Sequence, residues 1–258
     1  MDRTAAFAAL IEADPAAKVR LTRAAVAALD VTGCDRVLAA SAPGRPQRPE
    51  LVHPARVPQR GLGSASGRAA LIHAITHIEF NAINIALDAV CRFGGMPATY
   101  YTDWMQVAAE EALHFSLLAA HLQTLGHAYG DFTAHNGLWE MADLTCDDVL
   151  SRMALVPRIL EARGLDVTPA IRARLARQGD LAAAAILDII LADEVGHVAI
   201  GNQWYRWLCG QRGLDPMEIF GQLMIRHRAP AIRPPLNRAA RLAGGFTLAE
   251  LDAWERGT

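Results

Sequence analysis

Much that would assign this chain to a familiar class is missing from its sequence. Uninterrupted apolar runs are scarce: the most apolar stretch, around Leu181–Leu191, is broken by Asp188, followed by Asp193 and Glu194, and too short and too interrupted to span a bilayer. The first residues, MDRTAAFAALIEAD, carry an acid at once and no sustained apolar core, so they do not read as a secretory signal. Net charge is only −2, so no global field draws the chain to nucleic acid or to an anionic membrane. Cysteine is scarce and scattered. Cys34, Cys91, Cys146 and Cys209 form no C-x-x-C pair, which argues against structural zinc and makes reduced thiols in a cytoplasmic protein the expectation. Strand signals are missing too, so the expected fold class is all-α.

What is there is ordinary in bulk. The 258 residues are 52% hydrophobic and 20% charged, enough for one large domain or two small ones with a substantial core. Arginine greatly outnumbers lysine and alanine is abundant, a compositional bias that strips both residue types of most functional meaning.

The chain is expected to form one domain in three parts. Residues 1–67 hold one or two short helices, broken at Asp14-Pro15, and a Pro-rich extended arm over 41–67. Residues 68–210 form a four-helix bundle. In it, 68–93 carries Ile72, Ile75, Ala82, Ile83, Ala86 and Val90 on one face, and 103–125 starts from an Asp103 N-cap. A long crossover covers 126–147. A helix over 147–163, bent at Pro157, stops at Gly164, and a short basic helix over 169–178 precedes the long apolar-periodic run of 180–210. Residues 211–258 supply helices over 215–228 and 247–256. The Pro-rich stretch between them is expected to cover one end of the bundle beside the functional site.

Four of these helices place acids inside the stripe that ought to be apolar. Glu79 lies between Ile75 and Ile83; Glu111 and His114 interrupt Val107–Leu118; Glu161 sits near the end of its helix; Glu194 and His197 continue Leu187–Ile190. Buried carboxylates are costly unless paired or metal-bound, and these stripes contain no Lys or Arg to pair with them. Both EALH (111–114) and EVGH (194–197) are E-x-x-H, and at helical pitch i and i+3 point the same way, so Glu and His can hold one ion together. Each motif follows a lone Glu at a matching distance, 32 residues in one case and 33 in the other. One E-x-x-H is expected by chance about 0.4 times in a chain with this much Glu and His, so a single copy would be weak. Two copies, each with its upstream Glu, point to a dimetal carboxylate bundle: one Glu from each of two helices and Glu-x-x-His from each of the others. The predicted ligands are Glu79, Glu111, His114, Glu161, Glu194 and His197. Oxygen-rich ligation with two imidazoles suits two ions of iron, or else manganese.

Neighbouring groups have blander readings. His77 and His73 are expected to hydrogen-bond between elements, and His121 to be a satisfied core histidine, although it could line an access channel. Glu110 reads equally well as a solvated flank and as a partner of His114. Asp193 could orient a ligand histidine. The arginines Arg226, Arg228, Arg233, Arg238 and Arg241 could grip phosphate, but a solvated or salt-bridged surface is the better reading given the Arg bias.

The phrases HIEFNAINIALDAVCRF, AAEEALHF, YGDFTAHNGLWEM, RMALVPRILEARGLD and LADEVGHVAIGNQWYRWLC resemble the bacterial ferritin-like family catalogued as domain of unknown function 455. The PGRPQRP arm and the PPLNRAARLAGGFTLAELD tail fit it too, so the resemblance covers nearly the whole chain. It implies a ferritin-like fold with the same six residues in the ligand positions. More distantly the chain is similar to tRNA-hydroxylating di-iron enzymes, a likeness of fold that carries no substrate. The expected function is a di-iron oxidoreductase that activates O2 for a small or tRNA-borne substrate, with Glu111 and Glu194 bridging the ions, and with an electron-donor protein and a dimeric state left open. The alternatives are a ferroxidase or metal-handling protein without organic substrate, and a structural bundle with a vestigial site.

Overall fold

The computed structural model describes residues 3–28, 37–38 and 42–256. Among them the regular structure is helical: α1 (Thr4–Ile11), α2 (Pro15–Ala27), α3 (Ala65–Arg92), α4 (Ala98–Thr124), α5 (Gly137–Leu144), α6 (Val149–Leu155), a π-helical stretch (Val156–Glu161), α7 (Ala162–Arg177), α8 (Leu181–Arg212), α9 (Pro216–Arg226), α10 (Arg238–Ala243) and α11 (Leu248–Arg256). The sole β pairing among the described residues is an isolated bridge between Leu51 and Ala134. The all-helical expectation holds. The chain divides into two compact units, Met1–Trp139 with Arg174–Ile186 and Glu140–Ala173 with Leu187–Thr258.

In the first unit the helix starts follow local chemistry. Asp14 caps α2 by accepting from Ala17 N at 2.7 Å, with Pro15 at the first helical position, where its missing N–H costs nothing. Ser64 caps α3 by accepting from Gly67 N at 3.0 Å. The antiparallel partners α3 and α4 form the largest contact of this unit, and α1 and α2 pack against them. The buried guanidinium of Arg3 closes the C-terminus of α3 by donating to the carbonyls of Val90, Cys91 and Phe93. By length and composition α3 could cross a membrane, but it is mostly buried within the protein itself. The Pro-rich arm is largely irregular: it pairs with the 126–147 connection through Val52 N to Ala134 O and Ala134 N to Glu50 O.

α4 begins earlier than the sequence suggests. Its cap is Pro97, and Asp103 lies inside the helix. Burying Tyr100, Tyr101 and Trp104 rewards the extra turn more than an Asp cap would reward a later start. At the other end Gly126, at φ +76°, lets His127 N return to Leu122 O and close the helix.

In the second unit, Asp148 caps α6 and the helix then widens into the π-helical stretch. Pro157 at its start has no N–H to give and its ring crowds the preceding turn, so the ladder slips by one residue instead of breaking. Gly164 does not stop the next helix as expected: α7 runs through it, and through Pro169, to Arg177. Fully buried Ala162 and Leu165, packed with Val198, Phe246 and Leu251, hold that turn helical against the local propensities.

The arginines of this unit are structural. Arg158 is fully buried, donates to Glu250 Oε1 at 2.6 Å and lies over the rings of Tyr205, Phe220 and Phe246. Arg241 donates to both oxygens of buried Asp166, at 2.9 and 2.8 Å, which ties α10 to α7. Thr247 and Glu250 form a capping box that starts α11.

Gly201 of α8 is where Pro157 seats. A Cβ at that position would lie 2.3 Å from the Pro157 Cβ, a distance no packing tolerates, and the pyrrolidine ring cannot swing aside. Gly201→Ala should therefore destabilise by about 1–3 kcal/mol through overpacking, although Ala normally favours a helix over Gly by about 1 kcal/mol. Chemical denaturation of the two proteins checks the sign; a stabilised variant would mean that Pro157 and Gly201 are not in contact.

Candidate metal centre

Glu79 stands in the middle of α3, and Glu111 and His114 one turn apart on α4, so the α3–α4 pairing brings all three inward. They are 3%, 0% and 0% exposed. The Nδ1 of His114 lies 3.3 Å from a carboxylate oxygen of Glu79 and 3.3 Å from one of Glu111. Ligand atoms of the three all fall within 4.8 Å of one another, a spread that one metal ion can bridge. Next to them in sequence, Phe80 and Phe115 pack ring against ring and enclose Tyr129 between them.

Without metal this trio is electrostatically strained. Burial, reinforced by the Glu111 carboxylate, pushes the Glu79 carboxyl up to about 8, with His114 pulling the other way. Burial alone would push the His114 imidazole down, but its hydrogen bonds to Glu111 and Glu79 carry it well above the usual histidine range. Two carboxylates converge on one imidazole, and burial beside Glu111 favours the protonated form of Glu79.

The second unit carries the matching elements. Glu194 and His197 lie one turn apart on α8, with His197 Nδ1 3.9 Å from a Glu194 oxygen. His197 is fully buried and Glu194 partly so. Glu161, also buried, is the last residue of the π-helical stretch. The added residue of a π turn changes which way the following side chains face, and such stretches recur at functional sites. The tail is fastened to the same helix: Asn202 donates to the Gly244 carbonyl at 2.7 Å, and Gly244 sits against Val198, the neighbour of His197.

The other groups singled out in the sequence have structural partners. His77 lies 2.9 Å from the Tyr129 hydroxyl and 3.0 Å from the Asn81 amide, and burial lowers its pKa to about 3, so it is a neutral hydrogen-bonding residue. His73 accepts from Gly130 N, and burial lowers it to about 4. His121 pairs with Asp180, locking the end of α4 to the start of α8. Glu110 accepts from Gln106, one turn back, and Asp193 is half-buried on α8. Tyr129 was not foreseen from sequence. It sits in a connection whose only signal was its length, and its burial depends on the α3–α4 pairing.

The family model described as "Protein of unknown function (DUF455)" matches residues 11–252. The chain is 52% identical over 214 residues to an uncharacterised protein of Haemophilus influenzae, a match covering 80% of this chain and 74% of that one. No solved structure matches.

The raised pKa values set a sign for the pH dependence of the metal-free protein. The folded state binds more protons than the unfolded chain from the ordinary carboxylate range up to about 8 for Glu79, and above the ordinary histidine range for His114. This contribution is therefore fully present at low pH and is lost as pH rises. The metal-free melting temperature should fall by at least about 4 °C between pH 6 and pH 8.5, since each kcal/mol is worth about 2–4 °C in a chain of this size. Glu79→Gln, which stays neutral, should flatten the profile. A wild-type melting temperature that rises over the same interval would contradict the arrangement.

Proposed function

We propose that this chain, which belongs to the DUF455 family, is a ferritin-like dimetal oxidoreductase whose two ions, iron in preference to manganese, are held by Glu79, Glu111, His114, Glu161, Glu194 and His197. The observation that carries this reading is the buried trio of Glu79, Glu111 and His114, whose ligand atoms converge within 4.8 Å of one another while burial raises the proton affinity of Glu79. A divalent ion held there would offset the burial of these acids. That the ions form one dinuclear centre rests on the sequence, in which Glu…E-x-x-H occurs twice at near-equal spacing. The all-helical fold supports a four-helix bundle built from α3, α4, the α6–α7 run and α8, each of which bears one part of the pattern. Oxygen donors with two imidazoles fit iron, and bound iron would supply O2 reduction at that position.

The chain's own residues set the conditions for such chemistry. Glu111 and His114, fixed on one helical face, hold donor atoms at a set separation without reorganisation. Phe80 and Phe115 keep water from that side of the trio, and their burial leaves it in a low-dielectric setting where charge is costly. Glu79 and His114, whose affinity for protons is raised, can hold protons beside the bound ions.

The second reading is a ferroxidase without organic substrate. Oxygen uptake separates the two. A ferroxidase consumes O2 in proportion to Fe(II) added, and an oxygenase consumes it in proportion to reductant and substrate.

Anaerobic Fe(II) titration should saturate at about two ions per chain. Glu161→Gln should weaken binding at least about 10-fold while leaving the metal-free fold as stable or more so, because it removes a buried charge. Binding of one ion only, or an unaltered titration in the Glu161→Gln protein, would contradict the ligand set.

A further inference from the structure

The first unit carries a groove that the metal centre does not use. It lies between the first turns of α3, the end of the Pro-rich arm and the last turn of α7, and measures about 300 Å³, at the lower end of small-molecule pockets. Leu62, Ala70, Leu71 and Ala74 give it an aliphatic lining. Ala74 precedes Glu79 by five residues, and helical pitch turns it about 140° away from that acid, so the groove and the metal centre lie on different faces of α3. Specific contacts fix its wall. Arg68 donates to the Leu62 carbonyl at 3.2 Å, and Gly67 lies so close to Gly61 that a Cβ there would stand 1.9 Å from the Gly61 carbonyl oxygen. The arm is thus held against α3 before any ligand arrives, which lowers the cost of binding one.

Two arginines line this groove directly, Arg60 from the arm and Arg174 from α7, and no Asp or Glu does. Arg60 is oriented: its guanidinium lies 5.1 Å from the centre of the Phe132 ring and donates to Ser66 Oγ at 3.1 Å, which leaves most of its five N–H donors uncommitted. Arg174 is exposed, and the acids on the facing start of α8 are taken elsewhere, Asp180 by His121 and Asp188 by Arg172. Among the described residues, no carboxylate lies within ion-pair distance of Arg60 or Arg174. The complementary ligand therefore carries about two negative charges on a short apolar body. A phosphate monoester has nearly two charges at neutral pH and three acceptor oxygens, so it can engage two guanidinium groups at once. A carboxylate has one charge and two oxygens, which a single guanidinium satisfies.

We propose that this groove binds the phosphate monoester of a small aliphatic molecule, its phosphate held between Arg60 and Arg174 and its body laid on Leu62, Ala70, Leu71 and Ala74. The site is independent of the metal centre, and binding at it requires no metal.

The test titrates the full chain with n-hexyl phosphate below its micellar concentration, read by calorimetry and by methyl NMR of protein labelled at leucine. Saturable binding should occur, with the leading shifts at the Leu62 and Leu71 methyls. Hexanol, which lacks the charge, and inorganic phosphate, which lacks the chain, should each bind at least about 10-fold more weakly. Hexanoate, one charge short, should also bind more weakly than the phosphate ester. Arg60→Gln and Arg174→Gln should each lose at least about 10-fold in affinity. Arg177→Gln, at an exposed position outside the groove, should lose nothing. All three positions are exposed, so an unchanged melting temperature certifies each fold. A lack of saturable binding, equal binding of inorganic phosphate or hexanoate, or an equal loss in Arg177→Gln would overturn the proposal. So would binding of a short single-stranded RNA in place of the ester, which would assign the face to a nucleic-acid backbone.

Discussion

A carboxylate taken out of water must be given a proton or a positive charge, and the organisation of this chain follows from how each of its buried acids meets that demand. Asp88 receives the guanidinium of Arg92 one turn along α3. Asp166 receives Arg241 from α10, and Glu250 receives Arg158 from the π-helical stretch. In each pair guanidinium donors meet the charge of the acid, and in the last two the partners come from different elements, which the pair joins. These acids are fasteners.

Glu79 and Glu111 are placed differently. They reach the same depth in the first unit, but the group set between them is an imidazole, and burial together with mutual repulsion raises the proton affinity of Glu79. An arginine there would have been an easy structural solution, as the rest of the chain shows repeatedly. Buried acids that converge on an imidazole in place of a guanidinium form a group that could hold a cation. The second unit repeats the donor types, with Glu194 and His197 on one face of α8 and Glu161 delivered by an irregular helix. The irregular stretch that ends at Glu161 rests on Pro157 and on Gly201, the glycine that admits it.

What the sequence disclosed and what it hid divide along physical lines. Periodicity located α3, α4 and α8, although α3 proves buried on every side from Glu79 to Cys91, and the E-x-x-H spacing was visible because helical geometry alone puts Glu and His together. The earlier start of α4 was hidden because its reward, the burial of Tyr100, Tyr101 and Trp104, is tertiary. Gly164 and Pro169 were misleading for the same reason, since local breakers gave way to the packing of Ala162 and Leu165. The π-helical stretch shows in sequence only as an awkward proline. Tyr129 and Arg158 gave no sign of their roles: the first is partly buried by elements distant in sequence, and the second lies in a composition where arginine is commonplace.

The proposed function requires two ions that form a single coupled centre. Mössbauer and electron paramagnetic resonance spectroscopy of protein loaded with 57Fe(II) and then exposed to O2 tests this most directly. A dinuclear centre predicts two antiferromagnetically coupled ferric ions, seen as quadrupole doublets in the Mössbauer spectrum with no paramagnetic resonance signal. Isolated high-spin ferric signals accounting for all the iron would contradict it.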